Sequence, residues 1–320
     1  MYENKIRIKS PIFYMGNKFD LLENLLPRFP LEQEVGTFID LFGGSGTVSL
    51  NVPYTNIIYN ELNDNIINLL EMFINTSAEK IIQDIENNVN KFGLPKQNND
   101  VSSLHYDEEY KNMYNEKYLN FREYYNKSEP RKMVDLYTLT FFSFSNLIRF
   151  NSKSEFNMPF GNRYFTKEHQ RLIYDACKRL RTKNITISNK NAFEVLKNIG
   201  ENKQNYFIYL DPPYLNTQAI YNENRAFGGW SIEDDYKLFG ELDRLNALGI
   251  KWAMSNVLEN KGKKNEHLEK WAKDNGYIII HFEDKQYSSL GKGNANSKEV
   301  LIVNYNPPFE EYNIFDFMEE

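Results

Sequence analysis

The stretch Asn205–Tyr214, Asn-Tyr-Phe-Ile-Tyr-Leu-Asp-Pro-Pro-Tyr, limits what this chain can fold into more than any other. Tyr206 to Leu210 is an apolar, β-branched and aromatic run, the pattern of a strand buried on both faces of a parallel sheet. It stops at Asp211-Pro212-Pro213-Tyr214. Neither proline can donate to a strand ladder, and Pro212 pushes Asp211 into an extended conformation. An acidic side chain and an aromatic ring are thereby held on a stiff loop beyond the strand's carboxyl end, where open α/β sheets bind ligands. A Pro-Pro pair after a strand is by itself an ordinary turn, so the remaining motifs must decide.

With 320 residues the chain can bury a large core and hold one α/β domain with a smaller domain inserted or appended. Its 41% hydrophobic and 15% aromatic content is that of a folded protein. No apolar run approaches the roughly 20 residues of a membrane span, and the N-terminal residues lack signal-peptide character. The single Cys177 excludes an intrachain disulfide framework and a cysteine-based zinc site. With one cysteine a reducing cytoplasm is the natural setting, and His105, His169, His267 and His281 lack ligand spacing, so no metal is expected. The net charge of −6 argues mildly against nucleic acid, but it is uneven. Ten Lys/Arg lie between Arg149 and Lys190 against only Glu155, Glu168 and Asp175. A local basic face suffices for phosphate, although a solvated helix surface has the same composition.

Along the chain, Ser10–Lys18 is an aromatic and glycine loop feeding a helical pattern that stops before Pro27. Thr37–Phe42 reads as a strand, followed by Gly43-Gly44-Ser45-Gly46 and a helix opened by Thr47 to Asn51. Strand, glycine loop and helix together let backbone approach a cofactor closely. The loop is neither a P-loop nor a complete G-x-G-x-x-G fingerprint. A second strand, Asn56–Tyr59, ends at Asn60-Glu61-Leu62-Asn63, where an acidic residue typically holds a ribose hydroxyl pair. The plainer account of Glu61 is a helix-start carboxylate ahead of the helix 64–74.

From 75 to 183 the sheet pattern lapses into a mainly helical insertion, with helices expected at 81–89, 105–125, 134–144 and 166–181 and a polar loop at 98–103. Residues 146–161 are irregular and interleave Arg, Asn and aromatics, which base-edge reading and base-stack intrusion require. Strands are expected at 184–188, 206–210, 250–256, 277–282 and 300–304, helices at 231–248 and 266–274, and a glycine-rich loop at 286–297.

In this order the motifs resemble those of the Dam-like (D12 class, α-group) DNA adenine N6-methyltransferases. They are Tyr14-Met-Gly-Asn-Lys18, Asp40-Leu-Phe-Gly-Gly-Ser-Gly46, Asn60-Glu61, Arg149 to Gly161, Asp211 to Tyr214, Met254-Ser-Asn256 and Ser297-Lys-Glu-Val-Leu-Ile-Val-Asn-Tyr. The resemblance implies a Rossmann-like sheet formed by 1–74 and 184–320, with 75–183 as a target-recognition insertion. It implies transfer of a methyl group from S-adenosylmethionine to N6 of a flipped-out adenine in double-stranded DNA, at GATC or a GAT-containing site. Asp211, Pro212, Pro213 and Tyr214 would be catalytic. Tyr14, Gly16, Lys18, Asp40, Phe42, Gly44, Gly46, Glu61, Asn63 and Asp211 would hold the donor. Phe144, Leu147, Arg149, Asn151, Lys153, Pro159 and Arg163 would meet DNA. A monomer in a bacterial or phage-infected cell, with a separately acting restriction endonuclease, is the setting implied. Two positions depart from the pattern: Phe13 replaces the basic residue of the GATC enzymes, and Ala192 replaces an acidic residue near the adenine pocket. Cytosine N4 and glutamine N5 enzymes use a related Ser- or Asn-Pro-Pro-Tyr, and a non-catalytic DNA-binding regulator is the alternative outside enzymes. The intact Gly44, Gly46, Glu61 and Asp211 favour the enzyme.

Overall fold

The structure, a computed structural model, describes residues 7–96, 108–161, 163–200, 205–215, 229–260, 262–282 and 297–308. Its strands are β1 (Thr37–Asp40), β2 (Asn56–Asn60), β3 (Asn184–Ser188), β4 (Tyr206–Leu210), β5 (Lys251–Asn260), β6 (Lys263–Lys264), β7 (Ile278–His281) and β8 (Ser297–Val303). They form one sheet in the order β3-β2-β1-β4-β5-β8-β7, with β6 paired to β5. The first five are parallel, while β8 runs antiparallel to both β5 and β7. The order reverses between β1 and β4, and the crevice outside their carboxyl ends is the topological switch point of the sheet.

The α-helices are α1 (Leu22–Leu25), α2 (Thr47–Asn51), α3 (Asp64–Asn75), α4 (Ala78–Phe92), α5 (Glu108–Lys127), α6 (Met133–Phe142), α7 (Lys167–Leu180), α8 (Ala192–Asn198), α9 (Ile232–Ala247) and α10 (Glu266–Asp274). Strand alternation divides the core into two layers. On one face Phe38, Phe207, Tyr209 and Leu301 join Phe29, Tyr54 and the apolar stripes of α3, α4, α6 and α7. On the other, Ile39, Ile208, Leu210, Trp252 and Ile302 meet α8, α9 and α10. The insertion shares the first layer: α6 and α7 pack on α3 and α4, and α5 closes over α4 and α6. Ser77 caps the start of α4, and Gly93, at φ 62°, ends it in the left-handed conformation that glycine adopts without strain.

Several boundaries differ from the expected ones. The segment after Lys18 is a broken run, with 3-10 turns at Phe19–Leu21 and Leu26–Arg28 flanking α1. The α-helix itself stops before Pro27, as expected, and Pro27 lies inside the second 3-10 turn, whose first residues need no N–H from it. The strand expected at 250–256 continues to Asn260, where it turns back on β6 and meets β8 across a register shift between Val257 and Glu259. The helix expected to reach 144 ends at Phe142, since Ser145 and Asn146 both adopt φ 57°. Helix α8 was not anticipated. The polar loop 98–103 and residues 286–296 of the glycine-rich loop lie outside the described residues, and Ser297 already belongs to β8. The helix expected from His105 is described from Glu108. Among the described residues no helix is long and apolar enough to cross a membrane.

Candidate functional site

A cavity of about 300 Å³ opens at the carboxyl ends of β1 and β4, lined by residues 14–18, 40–45, 47–48, 60–63, 190–193, 211–214 and 229–230. Main chain shapes much of it. After β1, Gly43 lies on the ring of Tyr59, where a Cβ would stand 2.1 Å from Cε2. Gly44 and Gly46 adopt φ +50° and +71°, conformations that L side chains rarely take. The Tyr59 hydroxyl donates to the Gly44 carbonyl at 2.5 Å, and Gly43 N–H donates to Asn60 O at 2.8 Å, clamping the glycine loop to the end of β2. The Tyr14 ring covers Gly44 from the other side.

Glu61 joins the two motifs. Its Oε2 accepts from Gly44 N–H at 2.8 Å, and Oε1 accepts from Leu62 and Asn63 N–H, each at 2.9 Å. Burial pushes its carboxyl above the usual range, and the three backbone donors oppose the rise. A carboxylate has about four acceptor positions, so it retains capacity for a hydroxyl donor in the cavity. Asn63 caps α3 by accepting from Asn65 N–H at 3.0 Å. Asp40 is buried, with Oδ2 accepting from the Ser49 hydroxyl at 2.7 Å. Burial raises its pKa to about 7, the Ser49 bond opposing and Asp211 adding to the rise. Phe42 meets the edge of Trp230 at 5.8 Å, and Trp230 stacks on Phe193 at 6.0 Å. Asp235 fixes that indole by accepting from Nε1 at 2.7 Å, and its other oxygen meets His267 Nε2 at 2.8 Å. Trp230 carries no motif and was missed; its place in the wall depends on a chain path that sequence periodicity does not reveal.

At the mouth of β4, both oxygens of Asp211 are engaged. Lys18 Nζ approaches Oδ2 at 2.7 Å, and the Tyr214 hydroxyl donates to Oδ1 at 2.7 Å. Lys18, only 6% exposed, also donates to Gly16 O at 3.1 Å and lies 5.3 Å from the centre of the Tyr214 ring. Pro212 is buried and Pro213 half-buried, which locks the loop. The first sequence motif and the Asp-Pro-Pro-Tyr motif, almost 200 residues apart in the chain, thus meet in one ion pair.

The expected DNA-facing residues lie elsewhere, on the segment after α6. Phe144 stands 54% exposed at the head of a turn whose Ser145 and Asn146 are left-handed. Its N–H donates to Pro159 O at 2.9 Å, and Gly161 N–H donates to Phe142 O at 2.8 Å, so the segment is closed on itself. Arg149, Lys153, Pro159 and Arg163 are exposed, and Leu147 and Asn151 are half-buried. Arg149 is braced by Asn157, with Nε to Oδ1 at 2.9 Å, and Arg163 donates to Asn146 Oδ1 at 2.8 Å. Asn151 accepts from the N–H groups of Lys153 and Glu155, an internal turn. Other members of the basic stretch serve the scaffold: Arg179 reaches Leu50 O at 3.4 Å, and Lys183 reaches Val52 O at 2.7 Å and Tyr54 O at 3.0 Å. Phe13 packs edge-on against Phe141 and His169.

The model of the D12 class N6 adenine-specific DNA methyltransferases matches residues 14–288. "Modification methylase StsI" of Streptococcus sanguinis is 36% identical over 93% of this chain and 43% of its own length. "Type II methyltransferase M.FokI" of Planomicrobium okeanokoites is 37% identical over 93% of this chain and 43% of its own. The chain therefore spans a little under half the length of these relatives. "DNA adenine methylase" of Vibrio cholerae serotype O1 is 27% identical over 70% of this chain and 72% of its own length. With the match covering the cavity, the Lys18–Asp211 pair and the segment after α6, the chain belongs to the D12 class N6 adenine-specific DNA methyltransferase family.

Proposed function

We propose that this protein transfers a methyl group from S-adenosylmethionine to N6 of an adenine flipped out of duplex DNA, at GATC or a GAT-containing site. The observation that carries the reading is Asp211, held rigidly by a Pro-Pro loop at the sheet's switch point, beside a cavity whose glycine loop and Glu61 suit a nucleoside. The cavity's donor set fits: Glu61 keeps acceptor capacity for ribose hydroxyls, and Phe42, Phe193 and Trp230 offer an aromatic wall for a purine. The bound donor would supply an electrophilic methyl group.

The adenine amino nitrogen is a weak nucleophile because its lone pair is delocalised into the ring. Asp211 and the Pro212 carbonyl each accept a hydrogen bond from the amino group, drawing the nitrogen toward tetrahedral geometry and aiming its lone pair at the methyl. Pro213 stiffens the loop, and the Tyr214 ring gives the extruded base a stacking face. Tyr14, Gly16, Lys18, Asp40, Phe42, Gly44, Gly46, Glu61 and Asn63 form the donor side. Residues 75–183 form the target-recognition insertion. There Phe144 enters the base stack, Leu147, Arg149 and Pro159 face base edges, Lys153 and Arg163 face phosphates, and Asn151 meets DNA through the turn that it holds around Lys153. The relatives named modification methylases support a role in restriction–modification, beside a separate endonuclease.

The test is single-molecule sequencing of DNA from a methylation-free host expressing the chain, with an Asp211→Ala control. N6-methyladenine at one short motif, absent from the control, is the expected result. Binding of the donor without any modified base would support a regulator, and N4-methylcytosine would move the substrate.

A further inference from the structure

A second carboxylate lies at the catalytic corner without a role so far. In β8, Val300 and Ile302 point into the layer with Met254 and Ile208, whereas Leu301 and Val303 point into the layer with Tyr209 and Ala253. Alternation places Glu299 on the face of Leu301. That is also the face of Tyr209, whose hydroxyl meets Ser255 Oγ across β5 at 2.7 Å, and Asp211 follows Tyr209 by two residues. Register pairs Ser255 with Leu301 and Val257 with Glu299, so Glu299 reaches the carboxyl edge where Asp211 and Lys18 meet. Electrostatics agree with this placement. Burial pushes the Glu299 carboxyl up, Lys18 pulls it down, and Asp211 adds to the rise.

The corner poses a physical problem that Glu299 answers. Both Asp211 oxygens are already bonded, to Lys18 and to Tyr214. Asp211 keeps acceptor positions beside these two bonds, but an ammonium on Oδ2 neutralises the charge an incoming amino group would meet, so Asp211 accepts best when Lys18 withdraws. An ammonium as buried as that of Lys18 is costly to leave without a counter-charge. We propose that Glu299 is a positioning residue that takes up the Lys18 ammonium as the target amino group replaces it on Asp211. One cation then moves between two carboxylates on one sheet face, and the buried charge stays compensated throughout. With a cationic donor present, two carboxylates also balance two positive charges. This inference rests on the proposed methyl transfer to adenine N6.

The experiment compares Glu299→Gln, Glu299→Asp, Lys18→Met and the Lys18→Met/Glu299→Gln double variant in single-turnover methylation from pH 6 to 9. Among the described residues, Tyr209, Tyr214, Asp211 and Lys18 are the titratable groups facing Glu299, and the two tyrosines and Asp211 are kept in every variant of the series. Glu299→Gln should lower the rate at least 10-fold at pH 7.5 and alter the pH profile, while donor affinity stays within about twofold. Glu299→Asp should recover a substantial share. The double variant should be no slower than Lys18→Met alone, because the two residues act as one unit. A duplex carrying 2-aminopurine at the target position gives a readout independent of turnover. That base lacks the 6-amino group, so its fluorescence on entering the pocket should be the same in Glu299→Gln and the wild type. An unchanged methylation rate overturns the inference. So does a parallel fall in rate, donor affinity and 2-aminopurine signal, or the additive loss of a merely structural residue. A wild-type chain that binds donor and DNA but leaves adenine unmethylated would instead refute the proposed function.

Discussion

Around the sheet-edge cavity, contacts run largely from main chain to neighbouring motifs, whereas the segment from Ser143 to Arg163 is held by side chains from a distant helix. Gly43, Gly44 and Gly46 bring backbone against Tyr59 and Glu61, and a change of one atom would be felt. In the segment after α6, α5 supplies the frame. The Tyr118 hydroxyl and Arg122 Nη1 both donate to Met158 O at 2.9 Å, and Asn126 donates to Phe156 O at 3.0 Å while accepting from Phe156 N–H at 2.8 Å. The cavity is thus rigid by backbone conformation, and the segment after α6 by an external clamp. The first design suits a ligand that meets backbone closely, and the second lets the exposed residues of the segment change without redesigning the sheet.

The largest expected effect separates the two regions outright. Asp211→Ala should abolish methyl transfer, a loss of about 3 kcal/mol or more in transition-state stabilisation, while DNA affinity survives. It also takes the nearer carboxylate from the buried Lys18 and leaves Glu299 to balance it, so unfolding by urea should show a destabilisation below the roughly 3 kcal/mol of an uncompensated buried charge, which Lys18→Met added to the variant largely reverses. Retained turnover would remove Asp211 from the chemistry. Failure of the double variant to regain stability would remove the ion pair from the architecture.

The same contrast governs what could be read without coordinates. The core strands follow from short apolar runs bounded by glycine and proline, and β3 and β4 fall where expected. The cavity motifs were legible because strand, turn and acidic residue are local features. Lys18 was placed near the donor, but its pairing with Asp211 was not legible: it depends on how the loop after Ile12 crosses the sheet edge. In the segment after α6, Arg149 and Phe144 stood out as residue types, yet nothing local says that Arg122 and Asn126 clamp the loop some 30 residues later. The basic stretch was legible only as charge. Arg179 and Lys183 bind carbonyls around the end of α2, a use that composition cannot separate from phosphate binding.

Two glycines sharpen the comparison at intermediate size. A Cβ on Gly43 would stand 2.1 Å from the buried Tyr59 ring, and one on Gly161 would stand 2.4 Å from Ser143 O. Each alanine should cost about 1–3 kcal/mol in stability, since neither neighbour can move away freely. The functional losses should part company. Gly43→Ala should weaken donor binding and leave DNA binding unchanged, and Gly161→Ala should do the reverse by displacing the Phe144 turn. Isothermal titration with each ligand decides it, and losses of equal size for both ligands in both variants would show that the two regions are one mechanical unit.

A smaller effect probes the clamp alone. Asn126→Ala leaves Phe156 N–H and O without their side-chain partner, which should cost about 1–2 kcal/mol in DNA affinity through disorder of the reading residues. Arg149→Ala, by contrast, should relax discrimination at one base pair by about 1–3 kcal/mol, since a guanidinium fork matches guanine O6 and N7. Methylation of a panel of single-base variants of the mapped site tells them apart. Asn126→Ala should weaken every member alike, and a base-specific loss would assign it a reading role.

The smallest effect sets pH responses of the two regions against each other. His169 opens α7 with a capping box, its Nδ1 accepting from Thr166 N–H at 3.1 Å, and its ring packs among Phe13, Phe141 and Phe165. Burial lowers its pKa to about 4 from the ordinary 6.5, with Arg163 adding to the fall. The folded state thus holds the ring neutral where the unfolded chain is protonated. Stability from this group is complete above pH 6.5 and is lost as pH falls toward 4. The side chain is partly exposed, so solvent screening reduces the loss to about 1–2 kcal/mol. Asp40 has the opposite sign, because its raised pKa means that the folded state takes up a proton between about 7 and 3.8. The β1 end therefore gains stability over much of the range in which α7 loses it. Amide exchange at pH 7 and pH 5, corrected for intrinsic rates, should show protection of α7 falling relative to β1. His169→Gln, which keeps an acceptor for Thr166 but cannot titrate, should flatten that difference. If α7 in the variant still loses protection to the same extent, the pH sensitivity of the insertion lies outside the His169 cap.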